Sequence, residues 1–214
     1  MTMEATPTFN NIPLRAGDFS TLPEALNYAA QGQTGYNFYD GRGKLSAVLP
    51  FSKLRDDAQT LAQRLSGLGL ERGARMALVA DTHPDFMRFF FACQYAGLIP
   101  VPLPASVHMG GRKTYVDQLH RLLISCRANA AMATEDFFPF VNEAAEGLGL
   151  RFCGTPQAFA ELPKASIPLS PLGPKELAYI QYTSGSTKFP RGVMITQMAV
   201  LNNLAAIVKS GCHI

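Results

Sequence analysis

Short apolar runs alternate with longer helix-like segments through the middle of this sequence, and this alternation constrains the fold more than any other feature. Strand-like runs stand at 76–79, 99–103, 130–134 and 150–153, and helix-like segments at 84–96, 114–126 and 137–146. Strands that are joined through helices form mainly parallel sheets with helices on both faces. Pro100 and Pro102 indicate an edge strand or an early strand exit. The sequence therefore predicts an α/β fold with a mainly parallel sheet and helices on both faces.

Upstream of this alternation, the sequence predicts a capped helix and a small N-terminal hairpin. Thr21 and Glu24 match a capping box, and Pro23 suits the first turn of a helix that runs to about residue 30. The runs 36–39 and 45–49 flank an Asp-Gly-Arg-Gly turn. Because such turns join paired strands, this pattern favours a β-hairpin.

The helix that follows the hairpin has an apolar face between residues 54 and 68. Ser52 is predicted to cap its start, since a serine hydroxyl can accept a bond from a free backbone N–H group there. Asp56 and Asp57 lie early in this helix. They are interpreted as charges that offset the helix dipole, in preference to a catalytic pair of carboxylates.

The chain is expected to divide into four segments. The segment at 163–174 carries four prolines and no periodicity, so it is predicted to cross the surface between two structured parts. The predicted segments are a flexible N-terminus at 1–18, an α/β subdomain at 19–162, this proline-rich crossing at 163–174, and the beginning of a further, truncated subdomain at 175–214.

Composition and charge exclude several classes of protein. Hydrophobic residues make up 47% of the chain and charged residues 16%, which favours a folded core over disorder. The net charge is only +3 and the basic residues are scattered, so no nucleic-acid partner is predicted. No signal peptide is recognised. The apolar stretch at 86–104 is interrupted at Gly97, so no transmembrane segment is predicted either.

Cysteines and histidines show no metal-binding or redox spacing. The four cysteines are far apart: Cys93, Cys126, Cys153 and Cys212. Without a Cys-x-x-Cys pair they are expected to be reduced and mostly buried, which suits a cytoplasmic protein. His83 is interpreted as a structural residue at a helix start, and His120 as a surface residue.

The segment with the clearest chemical signal runs Thr183-Ser184-Gly185-Ser186-Thr187-Lys188-Phe189-Pro190-Arg191-Gly192 between two apolar runs. Gly185 and Gly192 permit positive φ, and small residues expose successive backbone N–H groups that can surround an anion. Hydroxyl groups add donors, and Lys188 and Arg191 add positive charge. The segment suits a polyphosphate. It matches neither a Walker A loop nor a Gly-x-Gly-x-x-Gly turn, and an ordinary solvated loop is the less favoured alternative.

This segment resembles the phosphate-loop signature of the adenylate-forming superfamily, which includes acyl-CoA synthetases, luciferases and peptide-synthetase adenylation domains. It departs from the common form at Lys188, where most members have Gly, and at Arg191, where most have Lys. These departures resemble the fatty acyl-AMP ligase branch. The similarity covers the chain from about residue 19 onward. The residues that keep the signature are Thr183, Ser184, Gly185, Ser186, Thr187, Pro190, Gly192 and Val193.

The resemblance implies an activity in which a fatty acid attacks the α-phosphate of ATP to give acyl-AMP and pyrophosphate. It also implies Mg²⁺ as a cofactor, with Thr187 near the metal, and an acyl carrier protein or a polyketide or peptide synthase as the acyl acceptor. The residues that it assigns to ATP are Thr183, Ser184, Gly185, Ser186, Thr187, Lys188, Arg191 and Gly192.

Superfamily members usually have more than twice the length of this chain. Their adenine and ribose sites and their catalytic lysine have no counterpart here, so the chain is expected to be an N-terminal fragment that is inactive alone and contains no catalytic residue. Three alternatives stay open at this stage. They are an acyl-CoA synthetase, after it an aryl or amino acid adenylating enzyme, and a binding module that keeps the fold without catalysis.

Overall fold

The computed structural model describes residues 8–9, 12–15, 17–105, 111–183 and 190–211. Within them, ten strands and seven helices alternate along the chain. They are β1 (Thr8–Phe9), β2 (Ile12–Pro13), α1 (Leu22–Ala29), β3 (Gly35–Tyr39), β4 (Leu45–Pro50), α2 (Phe51–Ser66), β5 (Arg75–Val79), α3 (Pro84–Ala96), β6 (Ile99–Leu103), α4 (Gly111–Cys126), β7 (Ala130–Met132), α5 (Phe138–Ala144), β8 (Phe152–Gly154), α6 (Pro156–Ala160), β9 (Leu177–Thr183), β10 (Arg191–Thr196) and α7 (Gln197–Gly211).

The centre of the fold is a four-stranded parallel sheet with the strand order β6-β5-β7-β8. Successive residues of a strand point to opposite faces of the sheet. Met76 and Leu78 of β5 therefore join a core with α2 and α3, whereas Ala77 and Val79 join a second core with α4 and α5. The predicted parallel α/β fold with helices on both faces is confirmed, and β6 is an edge strand of this sheet.

The N-terminal hairpin is also confirmed. Strands β3 and β4 pair antiparallel. The Asp40 carboxylate accepts hydrogen bonds from the backbone N–H groups of Arg42 and Lys44, both at 2.9 Å. Gly43 has a φ of 76°, a conformation that favours glycine. The turn is thus closed by the Asp40 side chain and by one glycine in the left-handed conformation.

Helix α1 begins as the sequence predicts. The Thr21 hydroxyl accepts a bond from the Glu24 N–H at 3.2 Å, and Pro23 lies in the first turn. The Glu24 carboxylate reaches back to the N–H of Ser20 at 2.8 Å, one residue before the position that the capping box predicts. Side chains therefore satisfy one backbone N–H group inside the first turn and one just before the N-cap.

The predictions made for α2 are wrong in two respects. The helix begins at Phe51 with Pro50 at its N-cap and has no side-chain cap, so Ser52 already lies inside the first turn. No acidic residue lies in that turn. Asp57 instead accepts hydrogen bonds from Lys53 and from Arg88 of α3, each at 2.9 Å. This carboxylate ties two helices together rather than offsetting the helix dipole.

The proline-rich segment at 163–174 has no helix or strand, but it is held firmly against the α/β unit. The Arg72 guanidinium donates to the carbonyl oxygens of Ser170 and Pro171 at 2.7 and 2.8 Å, and to the Glu176 carboxylate at 2.8 Å. Leu172 is buried in the second core. Arg72 therefore holds both the proline-rich segment at 163–174 and the start of β9 in place.

The stability contributed by Glu176 is expected to depend on pH. Hydrogen bonds from Arg72 and from the Gly173 N–H hold the pKa of Glu176 below its ordinary value of 4.5. A carboxylate whose pKa is lowered by folding stabilises the folded protein at pH values above its ordinary pKa. This stabilisation is lost as the pH falls through the lowered pKa. The difference in unfolding free energy between wild type and Glu176→Gln should therefore shrink below pH 4.5. Urea unfolding from about pH 7 to pH 3 measures it. The exposed Glu146→Gln serves as control, and a difference that stays constant with pH would contradict the prediction.

Candidate functional site

The predicted phosphate loop joins β9 and β10, which form an antiparallel pair. Thr183 lies opposite Arg191, and Tyr182 lies opposite Gly192. The two ends of the loop are thus adjacent, with an exposed hydroxyl on one strand and an exposed guanidinium on the other. The remaining predicted contacts lie outside the described residues: Ser184, Gly185, Ser186, Thr187 and Lys188.

Gly192 is needed for space rather than for a left-handed conformation. Its φ is not in the positive range, so the sequence-based argument from positive φ is wrong at this position. A Cβ added to it would lie 3.0 Å from the Cγ2 atom of Ile180 on the paired strand. A side chain at 192 would therefore push against the strand that leads into the loop.

Strand β9 is anchored on both of its faces. Ala178 and Ile180 are buried, and Ile180 joins the second core. The Tyr182 hydroxyl donates to the carbonyl oxygen of Leu122 at 3.2 Å, and burial raises the pKa of this tyrosine. On the opposite face, the Tyr179 ring lies 5.8 Å from that of Phe90. The strand that leads into the loop is consequently held by packing on both of its faces.

Two buried glutamines connect the base of the β9–β10 hairpin to the α/β unit. The Gln94 amide of α3 donates to the carbonyl oxygen of Ala178 and accepts from the Gln197 amide at the start of α7. The Gln197 side-chain oxygen accepts from the N–H of Leu22 at 2.9 Å. Both glutamines are fully buried. Sequence reasoning missed this network, because a glutamine within an apolar helix gives only a weak signal.

A cavity of about 330 Å³ opens beside the two ends of the loop. Its wall is mostly apolar and combines Pro104 after β6, Gln118 and Leu122 of α4, Thr183, and Pro190. The α4 residues were not recognised from the sequence, since no local motif marks them and only the packing of α4 on the sheet brings them here. The cavity therefore lies between α4, the end of β6 and the residues that flank the loop.

Other candidate residues have structural roles. The His83 side chain accepts from the N–H of Asp85 at 3.3 Å and caps α3, as predicted. His120 is half-buried, and its Nδ1 atom lies 2.7 Å from the carbonyl oxygen of Ala144, so its prediction as a surface residue is wrong. In the part of the chain that the structure describes, no group of three or more potential metal ligands occurs.

The described cysteines are free thiols. Cys93 and Cys126 are buried, and Cys153 is partly buried, as predicted, while Cys212 lies outside the described residues. Burial raises the pKa of Cys126 and of Cys153 to about 11. These thiols therefore stay protonated near neutral pH, which does not suit a nucleophile.

Comparison with known proteins identifies the class of this fold. The sequence model of the AMP-binding enzymes matches residues 31–213. A solved structure from work on the fatty acyl-adenylate ligases of E. coli and L. pneumophila superposes with a TM-score of 0.86 at 42% identity, covering 92% of this chain and 36% of that one. The fold is that of the corresponding part of an adenylate-forming enzyme.

Two sequence relatives agree with this class. A Caulobacter vibrioides protein that carries the name of an acyl-CoA synthetase is 41% identical over 98% of this chain. The long-chain-fatty-acid–AMP ligase FadD32 of Mycolicibacterium smegmatis is 34% identical over 82% of it. The chain therefore belongs to the AMP-binding enzyme family. It spans 36% of the length of the first relative and 28% of the second.

Among the described residues, no helix has the length and apolar character needed to cross a membrane.

Proposed function

We propose that this chain is the phosphate-binding part of a fatty acid:AMP ligase. In the reaction, the fatty acid carboxylate attacks the α-phosphate of ATP, acyl-AMP forms, and pyrophosphate leaves. The part of such an enzyme formed by this chain would hold the departing phosphates, while other parts supply the adenine and ribose contacts. Positioning and charge stabilisation are the main sources of rate in a transfer of this kind.

The observation that carries the proposal is the geometry of the hairpin. Thr183 and Arg191 lie on opposite sides of the loop entrance, and both are exposed at the end of an anchored strand pair. A hydroxyl donor and a guanidinium on two paired residues of neighbouring strands suit the oxygens of a polyphosphate. The loop itself would add further phosphate contacts from Ser184, Gly185, Ser186, Thr187 and Lys188. Gly192, which has no side chain, would let the backbone lie close to the phosphates.

Mg²⁺ suits this donor set, because hydroxyl and phosphate oxygens are the hard ligands that it prefers. When bound, it would neutralise phosphate charge, with Thr187 as the protein ligand of this chain. The exposed Thr183 and Arg191 would then orient the phosphates from the two sides of the hairpin.

The proposed acyl substrate is a fatty acid, and the proposed acceptor is an acyl carrier protein or a polyketide or peptide synthase. Support comes from Lys188 and Arg191 in the loop and from the FadD32 relative, whose name specifies an AMP ligase. The mostly apolar cavity beside Thr183 is compatible with such a substrate. A cytoplasmic location and a boundary between subdomains at 163–174 are part of the same proposal.

An acyl-CoA synthetase is the alternative within the family, and the name of the Caulobacter relative favours it. To separate the two, the full-length protein is incubated with ATP, Mg²⁺ and a long-chain fatty acid, with and without coenzyme A. Accumulation of acyl-AMP that is unaffected by coenzyme A supports the proposal, and rapid formation of acyl-CoA contradicts it. This chain alone should give no fatty-acid-dependent pyrophosphate exchange. If the full-length protein also gives none, a non-catalytic binding module becomes the better interpretation.

A further inference from the structure

A second cavity, of about 360 Å³, lies against the β9–β10 hairpin. The hairpin residues that line it are Ile180, Tyr182, Gly192 and Met194. Ile180 pairs with Met194 and Tyr182 pairs with Gly192, so these positions share one face of the hairpin. Thr183 and Arg191 of the proposed phosphate site are the neighbouring residues along each strand, and they therefore point to the other face. The second cavity thus lies on the side of the hairpin away from these two groups.

The other wall of the second cavity is basic. Arg75, at the start of β5, and Arg127, between α4 and β7, both line it, together with Ser125 and Cys126. None of the described residues that line the cavity is acidic. In the part of the chain that the structure describes, neither arginine forms an ion pair. The cavity thus has two positive charges that no carboxylate of the described residues balances.

Arg75 brings an unpaired hydrogen-bond donor to this cavity. Its Nε atom is buried, and among the described residues it is the only buried side-chain nitrogen or oxygen atom without a hydrogen-bond partner. A buried donor without an acceptor is unfavourable, and more so when the group is charged. Burial raises the pKa of the Cys126 thiol and of the Tyr182 hydroxyl, and the positive charge of Arg75 acts on both in the opposite direction. The charge of Arg75 therefore reaches the cavity wall, where an anionic acceptor would satisfy the Nε donor.

A structural role at the end of α4 does not account for the two arginines. An arginine near a helix C-terminus commonly bonds the last carbonyl oxygens and offsets the helix dipole. In α4, the carbonyl oxygens of Leu122, Leu123 and Ile124 accept bonds from a tyrosine hydroxyl and from two backbone N–H groups, at 3.2, 3.0 and 2.9 Å. These bonds do not use the guanidinium group of Arg75 or of Arg127. Both guanidinium groups are therefore available to a ligand.

Arg127 occupies a backbone position that ordinarily favours glycine. Its φ is 51°, and no other non-glycine residue in the described ranges has a positive φ. A left-handed residue directly after a helix is usually glycine, because a side chain there is strained. Such strain persists mainly where the residue has a use, as at ligand sites. Arg127→Gly should relieve the strain while it removes the charge, so this variant separates ligand binding from stability.

We propose that the second cavity binds a phosphate group, either as inorganic phosphate or as a small phosphate monoester. Guanidinium groups pair with phosphate oxygens through two parallel hydrogen bonds. A phosphate monoester carries a charge of about −1.5 to −2 at neutral pH, which matches two arginines better than a single carboxylate does. The volume of about 360 Å³ falls within the range of small-molecule sites. This inference does not depend on the proposed function, because it uses neither Thr183 nor Arg191.

Isothermal titration calorimetry on the full-length protein, without nucleotide or Mg²⁺, tests the proposal. Inorganic phosphate and glycerol 3-phosphate are the two probes, and acetate is the monoanionic control. Each titration is repeated in Arg191→Ala, which separates the second cavity from any phosphate at the loop. Phosphate binding should persist in Arg191→Ala, and acetate at the same concentration should not displace it. Tighter binding of glycerol 3-phosphate would identify an ester as the ligand, and equal binding would show that the phosphate group alone is recognised.

Matched variants make the test specific to the second cavity. Arg75→Gln and Arg127→Gly are each expected to weaken phosphate binding at least about tenfold, since each removes charge-assisted hydrogen bonds. Arg127→Gly should do so without lowering the melting temperature. At the exposed Ser125, Ser125→Asp should also weaken binding through charge repulsion, whereas the neutral Ser125→Asn, of nearly the same size, should not. Arg42→Gln removes an exposed arginine from the turn between β3 and β4 and should leave the affinity unchanged.

Several results would overturn the inference. They are the absence of binding by both probes, the loss of all binding in Arg191→Ala, and displacement of phosphate by acetate at equal concentration. Unchanged phosphate affinity in Arg127→Gly and Ser125→Asp would also refute it, even where Arg75→Gln fails to fold. If phosphate binds as expected but the full-length protein shows no fatty-acid-dependent pyrophosphate exchange, the second cavity keeps its assignment and only the proposed function fails.

Discussion

If the proposed function holds, replacing Thr187 or Arg191 by alanine in the full-length protein is expected to slow adenylation by about tenfold to a hundredfold. A hydrogen bond to a charged group contributes about 1.5–3 kcal/mol. A loss of about 1.4 kcal/mol in transition-state stabilisation lowers the rate tenfold. Fatty-acid-dependent pyrophosphate exchange measures the effect, with saturating ATP used to separate binding from the chemical step.

The control for this prediction is Arg42→Ala, which removes an exposed arginine from the turn between β3 and β4. It should leave the exchange rate within about twofold of wild type. The melting temperature of each variant should also stay close to that of wild type, because Arg191 is exposed and contributes little to the core. Unchanged rates in folded Thr187→Ala and Arg191→Ala proteins would refute the assignment of this loop to phosphate.

Replacing Gln94 by leucine is expected to lower the free energy of unfolding by about 2–4 kcal/mol. The change leaves the Ala178 carbonyl and the Gln197 amide without their side-chain partner in a fully buried site. A buried polar group without a partner costs about 1–3 kcal/mol. Urea unfolding at neutral pH measures the loss, with Gln157→Leu on the exposed side of α6 as the matched control.

A double-mutant cycle shows whether the two glutamines act together. Gln94→Leu and Gln197→Leu should show a coupling energy of about 1 kcal/mol, since their amides bond directly across 103 residues of sequence. Two losses that simply add, or a Gln94→Leu effect no larger than that of Gln157→Leu, would contradict the role assigned to this network.

Much of the fold could be predicted because the buried positions of helices and strands recur at regular spacings in the sequence. The alternation of apolar runs with helical segments indicated the parallel sheet and its two helical layers, and the Asp-Gly-Arg-Gly turn indicated the first hairpin. Short elements were harder to recognise. Helix α6, with only five residues, has too few positions to show a period, although Thr155 at its start is an ordinary capping residue.

The candidate site was predicted only in part. The order of small, hydroxylated and basic residues in the loop indicated a phosphate site, since that chemistry depends on local residue types. The cavity wall from α4 left no comparable trace, because Gln118 and Leu122 reach Thr183 only through the packing of a helix on the sheet. A local pattern cannot report such a contact.

The sequence by itself determined most of the longer helices and strands, because each depends on neighbouring residues, and it also predicts the phosphate chemistry of the loop. Only the tertiary structure decided the strand order, the bridging of two helices by Asp57, and the bond between Gln94 and Gln197. It also decided that Gly192 serves for close packing against Ile180. These features join residues that are distant in the chain, and their energies come from burial and hydrogen bonding that exist only once the elements have packed.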